Sequence, residues 1–471
     1  MRKVIVAAAT AATLGTLGLT ATAQAQSASP SVGTATTVNK TVVAGIPAAF
    51  TLVKSSTKAC TWKVTRLPGP VTSGVGLKNN CTDLIDGVFP TPGTKTVTAK
   101  VTTGGATTTF TVKVTVKSAP GENDATAVGS DTITPLTDQL AGDYNTTVAS
   151  TGTHEYSWDA VNPISGAIGD SIAEKADCPH IPRPDGSSAG IGQLATFTKS
   201  SSGPYCTNFA RSSRPRSSSD PAFAPGGVAF VNLAGDAVTW STQSTTDAPA
   251  SLTVAQLNAI YTCADTNWSQ VGGKNAPIQP FLPQSGSGTL AFFEAAIGVT
   301  TPGPCVSNVN NTLEENEGVN PALQTPEAIF PYSIGDFIAQ SQHSAKCLNS
   351  SCGPNSSGVV CKHVPQDNWF YCDEHGTMKL GKINGVAPIT GTGKSEVINS
   401  AFPSTFDRTL FDVVPYDPAT SDHIPGTAGP VGGLNLEKIF AATGYDCTNA
   451  KAKTDIKNYG FIPLSTCGAT S

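Results

Sequence analysis

Between Phe110 and Lys117 the chain reads Phe-Thr-Val-Lys-Val-Thr-Val-Lys, apolar and polar residues alternating without a break. A period of two is the signature of a half-buried strand. Thr94–Val101 repeats it more weakly, and Cys60-Thr-Trp-Lys-Val-Thr65 places Cys60, Trp62 and Val64 on one face. Ala44-Gly, Pro68-Gly-Pro and Thr103-Gly-Gly supply turns between these runs. After Ser118-Ala-Pro-Gly-Glu-Asn-Asp124 the grammar changes to strands alternating with helical periods. In Pro135–Tyr144, Leu136, Leu140 and Tyr144 recur every four residues behind a Thr134-Pro135 start. Gly227–Leu233 and Ala237–Trp240 read as strands, and Leu252–Tyr261 as a helix with Leu257, Ile260 and Tyr261 on one face. A chain of 471 residues that changes period in this way folds as more than one unit.

The N-terminus reads as an export signal. Arg2 and Lys3 precede an Ala/Leu/Val/Thr-rich run to about Thr22 and a small-residue site at Ala23-Gln-Ala25. With no cysteine before Cys60, a lipid anchor is not expected. The mature chain is expected to be secreted, extracellular or wall-associated.

Twelve cysteines in an exported chain imply disulfides. Nearest-neighbour pairing gives Cys60–Cys81, Cys178–Cys206, Cys263–Cys305, Cys347–Cys352, Cys361–Cys372 and Cys447–Cys467. Cys361-Lys-His363 and Cys372-Asp-Glu-His375 offer zinc ligands on paper, but a disulfide closing a hairpin around Trp369-Phe-Tyr is the expected use. Charged residues are only 13% and the net charge is −5, which excludes a basic nucleic-acid surface. Asp373-Glu374 and Glu314-Glu-Asn-Glu317 read as solvated acidic loops, and the tryptophans as packing residues. No cofactor, no metal and no catalytic residue are expected, and the chain should be monomeric.

Phe281-Leu-Pro-Gln-Ser-Gly-Ser-Gly-Thr289 runs straight into the apolar period of Leu290-Ala-Phe-Phe-Glu-Ala-Ala. A Gly/Ser approach to a helix start leaves unpaired N–H groups and partial positive charge for an oxyanion. The alternative is an ordinary cap, with Ser287 or Thr289 satisfying its own helix.

Three pieces occur together: Ala237-Val-Thr-Trp, Leu252-Thr-Val-Ala-Gln-Leu-Asn-Ala-Ile-Tyr261 continuing to Thr266-Asn-Trp-Ser-Gln-Val-Gly-Gly273, and Ser285-Gly-Ser-Gly-Thr289. Their order and spacing resemble the phosphate-binding protein family of ABC importers. Gly129-Ser-Asp-Thr132, Asp185-Gly-Ser-Ser-Ala-Gly-Ile191, Phe209-Ala-Arg-Ser-Ser-Arg214 and, more loosely, Asn458–Leu464 add to the likeness. The likeness covers roughly 124–471 and implies an α/β two-lobed periplasmic-binding-protein-like clamp over 125–471. The strand runs over 41–117 separately resemble an all-β immunoglobulin-like sandwich, in architecture alone, so the chain reads as multidomain. The signal is expected at 1–25, a lead-in at 26–40 and a linker at 118–124. Lobe 1 is expected over about 125–236 and 400–471, and lobe 2 over about 245–396. The resemblance implies an exported protein that binds inorganic phosphate or a similar oxyanion between the lobes, for uptake with importer membrane subunits, and held at the wall or free. Carried over by motif, the ligand contacts are Asp131, Thr132, Ser187, Ser188, Ser213, Ser287, Gly288 and Thr289.

Two departures matter. An arginine that the family places before the Gly-Ser-Gly-Thr turn is replaced by Pro283, and its buried aspartate by Ser213. Arg211 or Arg214 is the candidate replacement cation and Asp131 the replacement acceptor; the alternative is that both arginines are solvated. A surface or adhesion protein that kept the clamp without its ligand is the other functional class. A third reads Gly186-Ser-Ser188-Ala-Gly190 as a hydrolase elbow, with His343, His363, His375 or His423 as base.

Overall fold

The computed structural model describes residues 36–53, 60–66, 71–73, 83–88, 92–103, 106–149, 151–163, 167–342, 350–355, 358–363, 368–371, 374–429 and 433–471. The signal segment, Cys81, His343, Cys347, Cys372 and Asp373 lie outside them, and with them three of the six expected disulfides. Cys178–Cys206, Cys263–Cys305 and Cys447–Cys467 are formed.

The described residues between 36 and 117 build an all-β unit of two sheets. One holds Thr36–Val43, Ala106–Lys117, Gly93–Thr103 and Cys60–Arg66 in that spatial order; the other holds Pro47–Val53, Asp83–Val88 and Val71–Ser73. The alternation at 110–117 has its expected cause: Val114 and Val116 are buried while Lys113 and Thr115 face water. Val43 and Ile46 pack with Val128, Tyr156, Trp158 and Ile172 of the following unit.

That second unit is α/β. A nine-stranded sheet runs Gln279–Pro280, Ala328–Ser333, Val228–Gln243, Asp407–Pro415, Phe209–Ser212, Ala125–Gly129, Glu155–Ser157, with Met378–Leu380 and Ile462–Pro463 pairing beside the third. The two strand runs read separately at 227–233 and 237–240 are one strand of 16 residues. Its first half packs Ala229 and Val231 with Phe209, Val414 and Phe440, and its second half packs Val238 and Trp240 with Tyr261, Trp268 and Phe293. Two lobes therefore share this strand and its antiparallel partner Asp407–Pro415 as their crossing, with the register shifting between Asn232 and Ala234.

Local rules explain the helices that matter. Val254–Tyr261 starts behind Thr253, whose hydroxyl accepts from Gln256 N–H while Gln256 returns a bond to Thr253 N–H, a reciprocal capping box. Leu257, Ile260 and Tyr261 are its buried face. Thr134–Asn145 begins one residue before Pro135, with Ile133 in the cap position and no side-chain cap. Among the described residues no helix is long and apolar enough to cross a membrane.

Candidate functional site

Parallel strands all end on one side of a sheet, so the turns that follow them gather there. Ala125–Gly129 pairs in parallel with both Phe209–Ser212 and Glu155–Ser157. Its exit is Ser130-Asp131-Thr132, before helix Thr134–Asn145; the exit of Phe209–Ser212 is Ser213. Gly186 opens helix Ser187–Leu194 from φ +87°, and a Cβ there would overlap the Gly286 carbonyl of the other lobe. In the second lobe Gln279–Pro280 leads to Ser287 and helix Gly288–Ile297. A Cβ at Gly288 would overlap Ser187 Oγ and Ser213 Oγ, so these turns meet at backbone distance across the cleft.

What they surround is a carboxylate. Glu315 Oε1 accepts from Thr132 N–H at 3.1 Å and from Thr132 Oγ1 at 2.7 Å. Its Oε2 accepts from Thr289 N–H at 3.2 Å and from Ser287 Oγ. One oxygen is thus held by each lobe, and four donors fill the acceptor capacity of an ionised carboxylate. The Ser287 hydroxyl also accepts from Leu290 N–H at 3.0 Å. Cap and cradle, offered as alternatives by the sequence, are the same hydroxyl in two bonds.

The cation behind the cradle is Arg408, at the head of strand Asp407–Pro415. Its Nη1 donates to Thr289 Oγ1 at 2.9 Å and to the Ser213 carbonyl at 3.1 Å; its Nε donates to Asp236 at 2.9 Å. Arg408 and Asp236 side chains are both 0% exposed. Thr132 Oγ1 and Thr289 Oγ1 lie 3.2 Å apart. An arginine can only donate and a carboxylate only accept. The order Arg408 to Thr289 to Thr132 to Glu315 is therefore fixed.

Neither expected arginine takes that place, and neither is solvated. Arg211 is fully buried and donates to the Ser130 carbonyl at 3.0 Å, to the Gly129 carbonyl at 3.2 Å and to Ser157 Oγ, fastening the turn from behind. Burial pulls its guanidinium below the ordinary value, and Asp159, Asp138, Asp131 and Asp412 oppose that pull. Arg214 pairs with Asp220 at 2.7 and 2.9 Å and gives Nε to Ser188 Oγ at 3.2 Å. Ser188 N–H donates to the Gly286 carbonyl at 3.1 Å, so this helix start is spent on joining the lobes. Ser187 Oγ accepts from Ser213 N–H at 3.0 Å. Thr132, Ser213, Ser287, Gly288 and Thr289 are brought together, Ser187 and Ser188 stand beside them, and Arg211 and Arg214 do not reach the carboxylate.

The reading of Glu314–Glu317 as a solvated loop is overturned: all four residues are at most 1% exposed. Burial is possible because the cradle supplies donors to Glu315 and because a low-dielectric site favours the neutral form of Glu314. Burial first, then Asp185, holds Glu314 well above the usual carboxylate range. Asp185 is pushed up to about 6, by burial and then by Glu315, and it accepts from Gln284 Nε2 at 3.0 Å across the lobes. Arg408, Asp236 and Gln284 carried no motif signal. Glu315 carried one that pointed the wrong way, since a run of acids in a polar stretch is ordinarily a solvated face.

The Ser188 hydroxyl meets Arg214 rather than a histidine; His375 bonds Ser341 and His423 stacks on Tyr416. No hydrolase triad forms from these residues. Among the described residues no group of three or more His, Cys, Asp or Glu side chains is placed to hold a metal.

The family model described as the PBP superfamily domain matches residues 118–346. Among solved structures, one described as a phosphate ABC transporter substrate-binding protein with bound phosphate, from Clostridium perfringens, is 15% identical; the match covers 73% of this chain and all of that one, with a TM-score of 0.41. An ABC-type phosphate transport receptor from Vibrio cholerae is 18% identical over 72% of this chain and 99% of its own, with a TM-score of 0.40. No curated protein matches the sequence. At such identities the ligand has to be argued from this chain's own residues.

Proposed function

We propose that the chain is an exported clamp of the solute-binding type whose interlobe seat takes a small oxyanion, with inorganic phosphate first among the candidates, and that residues 36–117 form an immunoglobulin-like module that spaces it from a cell surface or wall. One observation carries the reading. Two backbone N–H groups and two hydroxyls, drawn from both lobes and backed by Arg408, already hold a carboxylate. Neutral donors of this kind desolvate an anion without a lysine, and charge-assisted bonds to it are the strong ones. Delivery to importer membrane subunits is the role this would serve.

A second reading has its own support. Asp185 stands beside the same seat with its carboxyl pushed up only to about 6, so near neutral pH it is largely ionised and repels a dianion. On that reading the clamp is a surface component that has kept the fold and no longer takes a solute. Thermal unfolding of the wild-type protein against phosphate, sulfate, arsenate and a phosphate ester separates the two. A ligand at a hundred times its dissociation constant adds about 2.7 kcal/mol, so a receptor shows a raised midpoint. An unchanged midpoint with all four selects the surface reading.

A further inference from the structure

We propose that Glu315 is a built-in substitute for the solute: its carboxylate occupies the oxyanion seat, closes the clamp from within, and has to leave before a free anion binds. This rests on the oxyanion reading of the cradle and adds a gate to it.

The geometry that separates Glu315 from an ordinary buried acid is the origin of its partners. Glu315 belongs to the second lobe, where Leu313 packs with Phe281, Phe330 and Tyr332. It reaches across to Thr132 of the first lobe with both the N–H and the hydroxyl. Its other oxygen is held at the start of helix Gly288–Ile297, a helix of ten residues. A solute that closes a two-lobed clamp does so by giving each lobe something to hold, and a ligand shifts the equilibrium by its differential affinity for the closed state. Glu315 does this as part of the chain, at no cost in translational freedom. Its three neighbours in the run, Glu314, Asn316 and Glu317, are buried as well, so the carboxylate is anchored and not a passing rotamer.

The segment that carries it is also bent to do so. Val309, Asn310, Asn311 and Asn316 all have positive φ, between 52° and 67°. Asparagine accepts that conformation, but a β-branched valine does so only where the surroundings impose it. Ser285 N–H bonds Asn311 Oδ1 at 2.7 Å, tying the acidic segment to the Gly/Ser turn whose helix it caps with a carboxylate. The sequence departures take on meaning here. Where Pro283 and Ser213 stand in place of an arginine and an aspartate, the chain supplies an anion and the cation Arg408 from elsewhere.

While Glu315 is seated, a free anion sees only the fraction of molecules in which it has left, so its apparent dissociation constant is raised by that fraction. Glu315→Ala removes the resident anion and keeps the donors. The test compares wild type and Glu315→Ala by thermal unfolding and small-angle scattering, with sodium formate, inorganic phosphate, or chloride at matched ionic strength. The expected result has three parts: the variant unfolds earlier and is more extended; formate and phosphate, not chloride, restore both properties; and phosphate binds the variant at least about tenfold more tightly than the wild type. If Glu315→Ala does not fold, Glu315→Gln, which keeps the shape and loses the charge, is titrated with phosphate instead and should show the same gain over wild type.

The two ideas fail differently. Tight phosphate binding by wild type, unchanged in the variant, overturns the gate and leaves the receptor. Rescue of the variant with no binding to wild type keeps the gate and moves the protein to the surface reading. Destabilisation that no oxyanion relieves overturns both.

Discussion

The two sides of the cradle are built by opposite means. The donor side is made of regular elements: strand Ala125–Gly129 and its exit at Thr132, and the capped start of helix Gly288–Ile297 at Ser287 and Thr289. The acceptor side is the irregular segment 309–318, with no helix or strand of its own and four residues in the left-handed region. Donors at a helix start are a by-product of making a helix, because its first N–H groups have no partner inside it. The acceptor has no such local origin. It is held where it is by tertiary contacts alone, and that makes it the side that can be exchanged for something else.

If the donor side is the scaffold, damage to it should cost more than damage to the acceptor. Arg408→Ala tests this most severely, because it leaves Asp236 buried without its cation. Removing one partner of a buried pair costs about 3–5 kcal/mol, read as a fall in the denaturant midpoint. Asp236 keeps bonds from Ser333 Oγ at 2.9 Å and Gly335 N–H at 3.0 Å, which sets the loss toward the lower end. A loss under about 1 kcal/mol would show that Arg408 does not brace the cradle.

The acid side has a pH signature of definite sign. Asp185 has its folded pKa raised to about 6 from an ordinary value of 3.8. Between those values the folded state binds the extra proton, so stability is present at the acid end and is lost as pH rises through about 6. About two units correspond to about 3 kcal/mol. The share of stability due to Asp185 should therefore be lost, and the unfolding midpoint fall, between about pH 4 and about pH 6. Asp412 and Asp455, both raised to about 7 chiefly by burial, slope the same way. Asp185→Asn is needed to isolate the cleft's share: it should flatten the slope in part, and an unchanged slope would remove Asp185 from the account.

How much of this the sequence held follows the same division. The alternation at Phe110–Lys117, the Thr253–Gln256 capping box and the Ser-Gly-Thr turn are local rules, and the structure obeys each of them. The hydroxyls of Thr132, Ser213, Ser287 and Thr289 do converge, because strand exits must. The sequence is silent on Arg408, which lies 119 residues from Thr289, and no periodicity links the two. It misleads on Glu315. Solvation is the correct expectation for an acidic run, unless a distant part of the chain offers enough donors to replace water, and here Thr132, 183 residues away, offers two. The runs at 227–233 and 237–240 join into one strand, Val228–Gln243, for a related reason: Asp236 between them is taken up by the distant Arg408 and the strand runs through.

The smallest effect is the sharpest probe, because it asks whether donor and acceptor know of each other. Ser287→Ala removes a helix cap and a donor to Glu315 together, and the cap alone is worth about 1 kcal/mol. Thr253→Ala removes a comparable cap from helix Val254–Tyr261, which has no bond to the cradle. With Glu315 in place, Ser287→Ala should cost more than Thr253→Ala. Combined with Glu315→Gln the two should part: Ser287→Ala should show a coupling of about 0.5 kcal/mol or more, as groups in contact do, and Thr253→Ala should add without coupling. Equal additivity in both cycles would mean that Ser287 acts as a cap and nothing more, and that the carboxylate beside it is a neighbour, not a ligand.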